Sequence, residues 1–197
     1  CMPLKGLSFV PSPELLRADE IEAVARAAVS VGFTKFRLTG GEPTLRADLV
    51  DITRRLASVK GVADLSMTTN AILLPRLAKP LREAGMSRLN IHVDTLHPER
   101  LKRLMRFSSK DEIEAGIAAA IDAGFSPIKL NCVVTRDYNE TDVLDLVRLA
   151  VERDWHSVEV ARREISVKRE NLEDRAQQDL SLDLVREHAE YRELIAE

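Results

Sequence analysis

The chain has 197 residues, of which 45% are hydrophobic and 31% are charged, and its formal net charge at pH 7 is −3. This composition is typical of one globular domain, and the small acidic charge gives no reason to expect a nucleic-acid partner. No apolar run approaches the roughly 20 residues of a membrane-spanning helix, and no signal peptide is visible. From the apolar runs we expect no membrane partner. Two cysteines cannot form a disulfide framework, so we expect a cytoplasmic protein.

Helical and strand patterns alternate along the chain. After a proline-rich loop over 1–13, Asp19 is the predicted N-cap of a first helix, which ends at Gly32. The later predicted helices cover about 49–60, 73–84, 98–104, 110–123 and 141–153, the last capped by Asn139 or Thr141. The predicted strands cover 34–39, 63–69, 87–94, 128–134 and 158–165.

This alternation predicts an α/β fold of parallel βα units. Right-handed crossovers coil such a sheet into a barrel, a part-barrel or a doubly wound sheet, and all three gather binding groups at the carboxyl ends of the strands. We expect a barrel-like domain over 1–156. Residues 157–197 are predicted to add a last strand and a highly charged helical tail, which packs on its own domain or on a partner subunit, including a second copy.

Polar residues follow the predicted strands. Gly40 and Gly41 free the backbone to approach a ligand, and Glu42 could accept a hydrogen bond from an amine; a plain turn with a solvated acid is the alternative. Lys35 and Arg37 point to one face of their strand. On an interior face they would call for an anion, whereas on the exterior they would be ordinary surface charges.

The other strand ends carry further candidates. Lys129 repeats the basic pattern beside Asn131, and Thr68 offers a hydroxyl to a ligand or simply caps its strand. His92 is a candidate base or ligand, although such a histidine is more often a hydrogen-bonded core residue. Cys132 is predicted to be a small buried side chain, because a cluster needs about three or four thiolates.

Several stretches together resemble one known family. They are Cys1-Met2-Pro3, Phe36-Arg37-Leu38-Thr39-Gly40-Gly41-Glu42-Pro43-Thr44-Leu45-Arg46, Thr68-Thr69-Asn70, Leu89-Asn90-Ile91-His92-Val93-Asp94-Thr95-Leu96 and Lys129-Leu130-Asn131. In order and spacing they resemble the MoaA family, the radical S-adenosylmethionine GTP 3′,8-cyclases of molybdenum cofactor biosynthesis. The resemblance covers about residues 1–155.

The resemblance implies a partial TIM barrel and a lyase that rearranges GTP to a cyclic pyranopterin precursor. In this family a [4Fe–4S] cluster, reduced by an electron donor, cleaves S-adenosylmethionine to a radical that abstracts a hydrogen from GTP. By the same resemblance Cys1 is a cluster ligand. Gly40, Gly41, Glu42, His92 and Asn131 bind S-adenosylmethionine. Arg37, Thr68 and Lys129 contact GTP, with Lys35 nearby.

The sequence also departs from the family pattern. His92 stands where a serine is usual, and Ala71 stands where glycine is common. The chain begins at Cys1 rather than methionine, so we expect a longer, processed or engineered parent. No match to a second cluster domain follows Ser157. With one cluster cysteine, we expect the chain to be truncated at both ends and inactive alone. A non-catalytic part-barrel with a partner-binding tail, or another radical S-adenosylmethionine enzyme, is the alternative.

Overall fold

The structure, a computed structural model, describes residues 15–104, 109–126, 128–135, 138–152 and 157–163. Cys1, the proline-rich start and the predicted tail helices lie outside these residues. None of the helices within the described ranges combines the length and the apolar character needed to cross a bilayer.

Helices and strands alternate as the sequence predicts. The helices of the described residues are α1 (Ala18–Ser30), α2 (Leu49–Ser58), α3 (Leu74–Glu83), α4 (Pro98–Leu104), α5 (Lys110–Asp122) and α6 (Asp142–Glu152). The strands are β1 (Lys35–Leu38), β2 (Asp64–Thr69), β3 (Arg88–His92), β4 (Ile128–Thr135) and β5 (Ser157–Arg163). A short 3-10 turn, Pro43–Leu45, follows β1. The predicted elements in the described part of the chain are confirmed, with small differences at their ends.

The strands belong to one sheet in the order β1-β2-β3-β4-β5. β1 pairs in parallel with β2, and β4 pairs in parallel with β5. Each strand therefore neighbours its successor in the chain, and helices form the crossovers. This order lacks the reversal that defines a doubly wound sheet, which removes one of the three predicted architectures. The prediction of parallel βα units is confirmed.

Glycines follow four of the helices, and Gly32 after α1 is the predicted end of that helix. They all adopt a positive φ, the left-handed conformation that glycine reaches without a steric penalty. They are Gly32 (101°), Gly61 (108°), Gly85 (101°) and Gly124 (81°). The same conformation occurs at Ala71, with φ of 70°, where the methyl group makes it less favourable.

The chain divides into two compact units. The first contains the described residues of 15–90 and 111–126. Its core forms where α2 packs against α1, α3 and β2. α2 buries Leu49, Ile52 and Leu56 at helical spacing, and Leu65 and Met67 of β2 are at most 1% exposed.

The second unit contains the described residues of 91–110 and 127–163. Buried and half-buried side chains alternate along β4, and Leu130 and Cys132 lie on its buried side. Leu146 of α6 is 1% exposed, and α6 packs against β5. The prediction that Cys132 is a small buried side chain is confirmed, because it is 0% exposed.

One prediction about α1 is wrong. The N-cap is Arg17 rather than Asp19. Asp19 lies in the first turn, where an acid is favourable beside the positive end of the helix dipole, and the carboxylate of Glu20 accepts the Arg17 backbone N–H at 2.8 Å. Val24 and Val31 stand at apolar helical spacing in the sequence, yet they are 60% and 74% exposed. In the described part of the chain α1 packs on α2, which covers the side that carries Ala25.

Candidate functional site

The segment after β1, which we call loop 40–42, contains the predicted cofactor residues Gly40, Gly41 and Glu42. Both glycines are exposed, and a Cβ atom added to either would meet no atom of the described residues within 4 Å. Neither glycine has a positive φ. Packing and backbone conformation therefore do not require glycine here. A bare, exposed backbone at a strand end is suited to the close approach of a ligand.

Glu42 joins the carboxyl ends of β1 and β2. Its Oε1 accepts hydrogen bonds from the backbone N–H of Thr44 at 3.1 Å, from Thr44 Oγ1 at 2.6 Å and from Thr69 Oγ1 at 2.7 Å. Its Oε2 accepts the backbone N–H of Asn70 at 2.8 Å. The half-buried carboxylate is bonded by these donors, so Glu42 is the N-cap of the 3-10 turn and is not a freely solvated acid. Because Oε2 accepts one of these bonds, it retains capacity for a ligand donor.

One face of the β1–β2 pair is polar, and we call it the polar face. Its members alternate along the two strands and are Lys35, Arg37, Asp64, Ser66 and Thr68. Register places Lys35 beside Asp64 and Arg37 beside Ser66. The two basic side chains are exposed, whereas Ser66 is 3% exposed and Thr68 is half-buried. The prediction that Lys35 and Arg37 share a face is confirmed, and Thr68 lies on that face too.

Asp64 carries the negative charge of the polar face. Arg88 donates to it through Nε at 3.0 Å and through a second bond from Nη2. The hydrogen bonds of Arg88 hold the pKa of Asp64 below its ordinary value, and the charges of Lys35 and Arg37 act in the same direction. Asp64 is thus hydrogen-bonded by Arg88, and Arg37 lies exposed on the polar face.

In the second unit, His92 and Asn131 are lateral neighbours. The backbone N–H of Val93 donates to the carbonyl oxygen of Asn131 at 2.9 Å, the parallel-ladder bond that sets His92 opposite Asn131. Oδ1 of Asn131 is buried and has no hydrogen-bond partner in the described part of the chain. A buried acceptor without a partner needs a donor, which a bound ligand or a water molecule can supply. Lys129 lies two residues earlier on the same side of β4 and is half-buried.

Asp94 is a residue that the sequence interpretation did not select. It is 3% exposed, and its Oδ2 lies 3.1 Å from Nε2 of His92, whose side chain is 31% exposed. Oδ1 of Asp94 accepts the backbone N–H of Val133 at 2.9 Å. His92 is therefore a half-exposed, oriented side chain rather than a core histidine. The polar residue two positions after His92, just beyond the strand, was the available signal.

A buried polar network continues behind Asp94. Asn139 is 0% exposed, and its Nδ2 donates to the carbonyl oxygens of Asp94 at 2.6 Å and Val133 at 3.1 Å. Its Oδ1 accepts the backbone N–H of Thr135 at 2.7 Å. The side chain predicted as a helix cap therefore bonds the strand ends. Thr95, also 0% exposed, donates to the buried carboxylate of Asp142.

The described residues contain no group of three or more His, Cys, Asp or Glu side chains arranged to hold a metal ion. Burial raises the pKa of the Cys132 thiol to about 12, and the thiol donates to the carbonyl oxygen of Asp94 at 3.6 Å. A thiol with so high a pKa is a poor cluster ligand. Cys1, the predicted ligand, lies outside the described residues.

Comparison with known proteins decides the family. The model of the radical SAM superfamily matches residues 1–150. The chain belongs to the radical SAM superfamily. The GTP 3′,8-cyclase of Pelotomaculum thermopropionicum is 43% identical over 156 residues, which cover 79% of this chain and 48% of that protein. The GTP 3′,8-cyclase of Pseudomonas putida is 46% identical over 154 residues, which cover 78% of this chain and 46% of that protein.

A solved structure supports the fold. The crystal structure of Streptococcus suis SuiB bound to S-adenosylmethionine matches with a TM-score of 0.68 at 20% identity, covering 93% of this chain and 39% of that one. The predicted α/β part-barrel class is thereby confirmed. The chain spans about half the length of the curated relatives it matches.

Proposed function

We propose that the chain binds S-adenosylmethionine and GTP as the barrel part of a GTP 3′,8-cyclase, a lyase of molybdenum cofactor biosynthesis. The identity of more than 40% to cyclases of that name supports the substrate, and membership of the superfamily supports the cofactors. In the proposed enzyme an electron donor reduces a [4Fe–4S] cluster, and a reducing compartment such as the cytoplasm suits its thiolates.

The observation that carries the proposal is the bare backbone of loop 40–42. Nothing in the described packing needs glycine at Gly40 or Gly41, while Glu42 holds the loop to the end of β2. We propose that the loop backbone and Glu42 Oε2 bind the charged methionyl end of S-adenosylmethionine. Anchoring the loop before the ligand arrives reduces the entropy that binding must otherwise overcome.

Substitution at Gly41 tests this role. In Gly41→Val the new side chain points into open space, so the unfolding temperature should stay unchanged while S-adenosylmethionine affinity falls by tenfold or more. The matched control is Gly32→Ala, which also meets no neighbour but has a φ of 101°. That variant should lose about 1 kcal/mol of stability without a change in affinity. Equal S-adenosylmethionine affinities of Gly41→Val and the parent chain, measured by calorimetric titration, would show that loop 40–42 is not part of the cofactor site.

We propose that Arg37 and Lys129 bind anionic groups of GTP, with Lys35 beside Arg37 and with Thr68 offering a hydroxyl. Arg37 is exposed on the polar face, and Asp64, the acid of that face, is bonded to Arg88. Arg37→Ala and Lys129→Ala should each weaken GTP binding roughly tenfold, because a charge-assisted hydrogen bond is lost. Arg54→Ala is the charge-matched control, since Arg54 is 63% exposed on α2. An equally large loss of GTP affinity in Arg54→Ala would show that net charge, and not a contact with GTP, weakens the binding.

When present, a [4Fe–4S] cluster with bound S-adenosylmethionine supplies the radical chemistry of this superfamily. The described residues do not fit the cluster, because their one cysteine, Cys132, is buried and bonded to a carbonyl. Cys1 is the proposed ligand. Anaerobic incubation of the 197-residue chain with iron and sulfide should therefore give no stable cluster, since about three thiolates are needed. About four irons per chain with matching absorption would contradict this.

A further inference from the structure

We infer that Asp94 positions His92 with its proton on Nε2, so that Nδ1 and the neighbouring Asn131 Oδ1 form a two-acceptor site for an ammonium or hydroxyl group. The inference rests on the proposed binding of S-adenosylmethionine, which carries both kinds of donor.

The orientation of the Asp94 carboxylate is fixed. Its Oδ1 accepts the backbone N–H of Val133 at 2.9 Å, and this N–H can only donate. The Asp94 backbone is held as well, because its carbonyl oxygen accepts Asn139 Nδ2 at 2.6 Å. With its side chain 4% exposed, Asp94 has little freedom to turn away from His92. Oδ2 is therefore the oxygen that faces the imidazole, at 3.1 Å from Nε2.

This contact selects one tautomer of the imidazole. A carboxylate accepts hydrogen bonds but does not donate them, so His92 Nε2 must carry the proton. In the neutral ring Nδ1 is then an acceptor with a free lone pair. Within the described part of the chain Asp94 is the hydrogen-bond partner of His92, and the side chain is 31% exposed. Nδ1 is thus available to a ligand.

A second acceptor is carried by the residue opposite His92 on the neighbouring strand. Asn131 is opposite His92 in the ladder, and its buried Oδ1 has no partner among the described residues. Two neighbouring acceptors suit one group with several N–H or O–H donors, such as a primary ammonium, or two adjacent hydroxyls. In this tautomer His92 Nδ1 only accepts, so the site selects ligand groups that donate.

The isosteric variant Asp94→Asn should invert the tautomer. Its amide oxygen must remain on the Val133 N–H, which places the amide NH₂ against His92. Two facing donors are unfavourable, so the proton moves to Nδ1 and Nε2 becomes the acceptor. Long-range ¹H–¹⁵N NMR of histidine-labelled chain, recorded where the ¹⁵N shifts themselves show a neutral ring, reads the protonated nitrogen directly. His92→Gln assigns the signal. We expect Nε2–H in the parent chain and Nδ1–H in Asp94→Asn.

Binding measurements separate positioning from a merely structural role. Asp94→Asn should weaken S-adenosylmethionine binding about tenfold or more, because a donor now faces the donor of the ligand. In the His92→Gln background the same substitution should change the affinity less than threefold. Equal losses in both backgrounds would make Asp94 structural and overturn the inference. L-methionine and 5′-deoxyadenosine identify the donor, since the first carries the ammonium and the second carries the ribose hydroxyls.

The outcomes distinguish this inference from the proposed function. An Nδ1–H tautomer in the parent chain, together with S-adenosylmethionine binding, overturns the inference and leaves the function standing. Unchanged affinity in a folded Asp94→Asn variant does the same. Absence of any S-adenosylmethionine binding by the parent chain overturns both. If Asp94→Asn does not fold, the tautomer of the parent chain and the affinity of His92→Gln still decide the matter.

Discussion

The carboxylate of Glu42 is predicted to stabilise the fold before it meets any ligand, and Glu42→Ala tests this. The substitution removes the acceptor of four hydrogen bonds. Two of the donors are hydroxyls of Thr44 and Thr69, which are 5% and 2% exposed. A buried donor without an acceptor costs about 1–3 kcal/mol. Because water can enter beside the half-buried carboxylate, we expect a total loss of about 2–4 kcal/mol rather than the full sum.

Denaturant unfolding of the ligand-free chain measures this loss of unfolding free energy. In thermal unfolding, the midpoint temperature should fall by roughly 5–15 °C for a protein of this size. A double-mutant cycle with Thr69→Val isolates one bond, and its coupling energy should be about 1 kcal/mol. Glu42→Gln, which keeps the volume but places an amide NH₂ among donors, should lose stability as well. If Glu42→Ala changed the unfolding free energy by less than about 0.5 kcal/mol, the carboxylate would serve ligand binding alone.

Three further predictions follow from other contacts. In Gly116→Ala the new Cβ would clash with the carbonyl oxygen of Ala71, so the free energy of unfolding should fall by about 3 kcal/mol. The control Ala118→Gly, on the exposed side of α5, should cost only about 1 kcal/mol. Asp64 has a lowered pKa, so its ionised carboxylate stabilises the fold above pH 3.8, the ordinary pKa of the group, and this effect is lost as the pH falls further. The difference in unfolding free energy between the parent chain and Asp64→Asn, measured by urea titration, should therefore shrink below about pH 4. Native Cys132, with its pKa near 12, should resist iodoacetamide and react only in concentrated guanidinium, as peptide mass spectrometry would show.

The parallel order of helices and strands was predictable because both periodicities and helix-ending glycines are local signals. Gly32, Gly61, Gly85 and Gly124 mark the helix ends in the sequence and adopt positive φ in the structure. The exposure of Val24 and Val31 was not predictable, because apolar spacing shows which side of a helix is apolar but not what covers it. The prediction of Asp19 as the N-cap was wrong for a similar reason, because in the sequence an acid in the first turn looks the same as an N-cap acid.

The candidate site was predictable in its residues but not in their contacts. Strand alternation correctly placed Lys35 and Arg37 on one face, because side chains alternate in any strand. The bonds from Glu42 to Thr69 and Asn70 join residues 27 and 28 positions apart, and no local pattern encodes them. For the same reason Asp94 was not selected from the sequence, and Asn139 was predicted only as a helix cap. The role of each side chain depends on its contact with a strand end that the fold brings near.

The bonds of the two candidate carboxylates also make backbone amides report on the site. Asn70 donates its N–H to Glu42 Oε2, and Val133 donates its N–H to Asp94 Oδ1. Exchange of these hydrogens with deuterium requires the corresponding carboxylate contact to open. The Asn70 amide therefore records the opening of loop 40–42, and the Val133 amide records the opening of the contact that orients His92. Deuterium uptake at these two positions would follow each unit separately, without a probe attached to either.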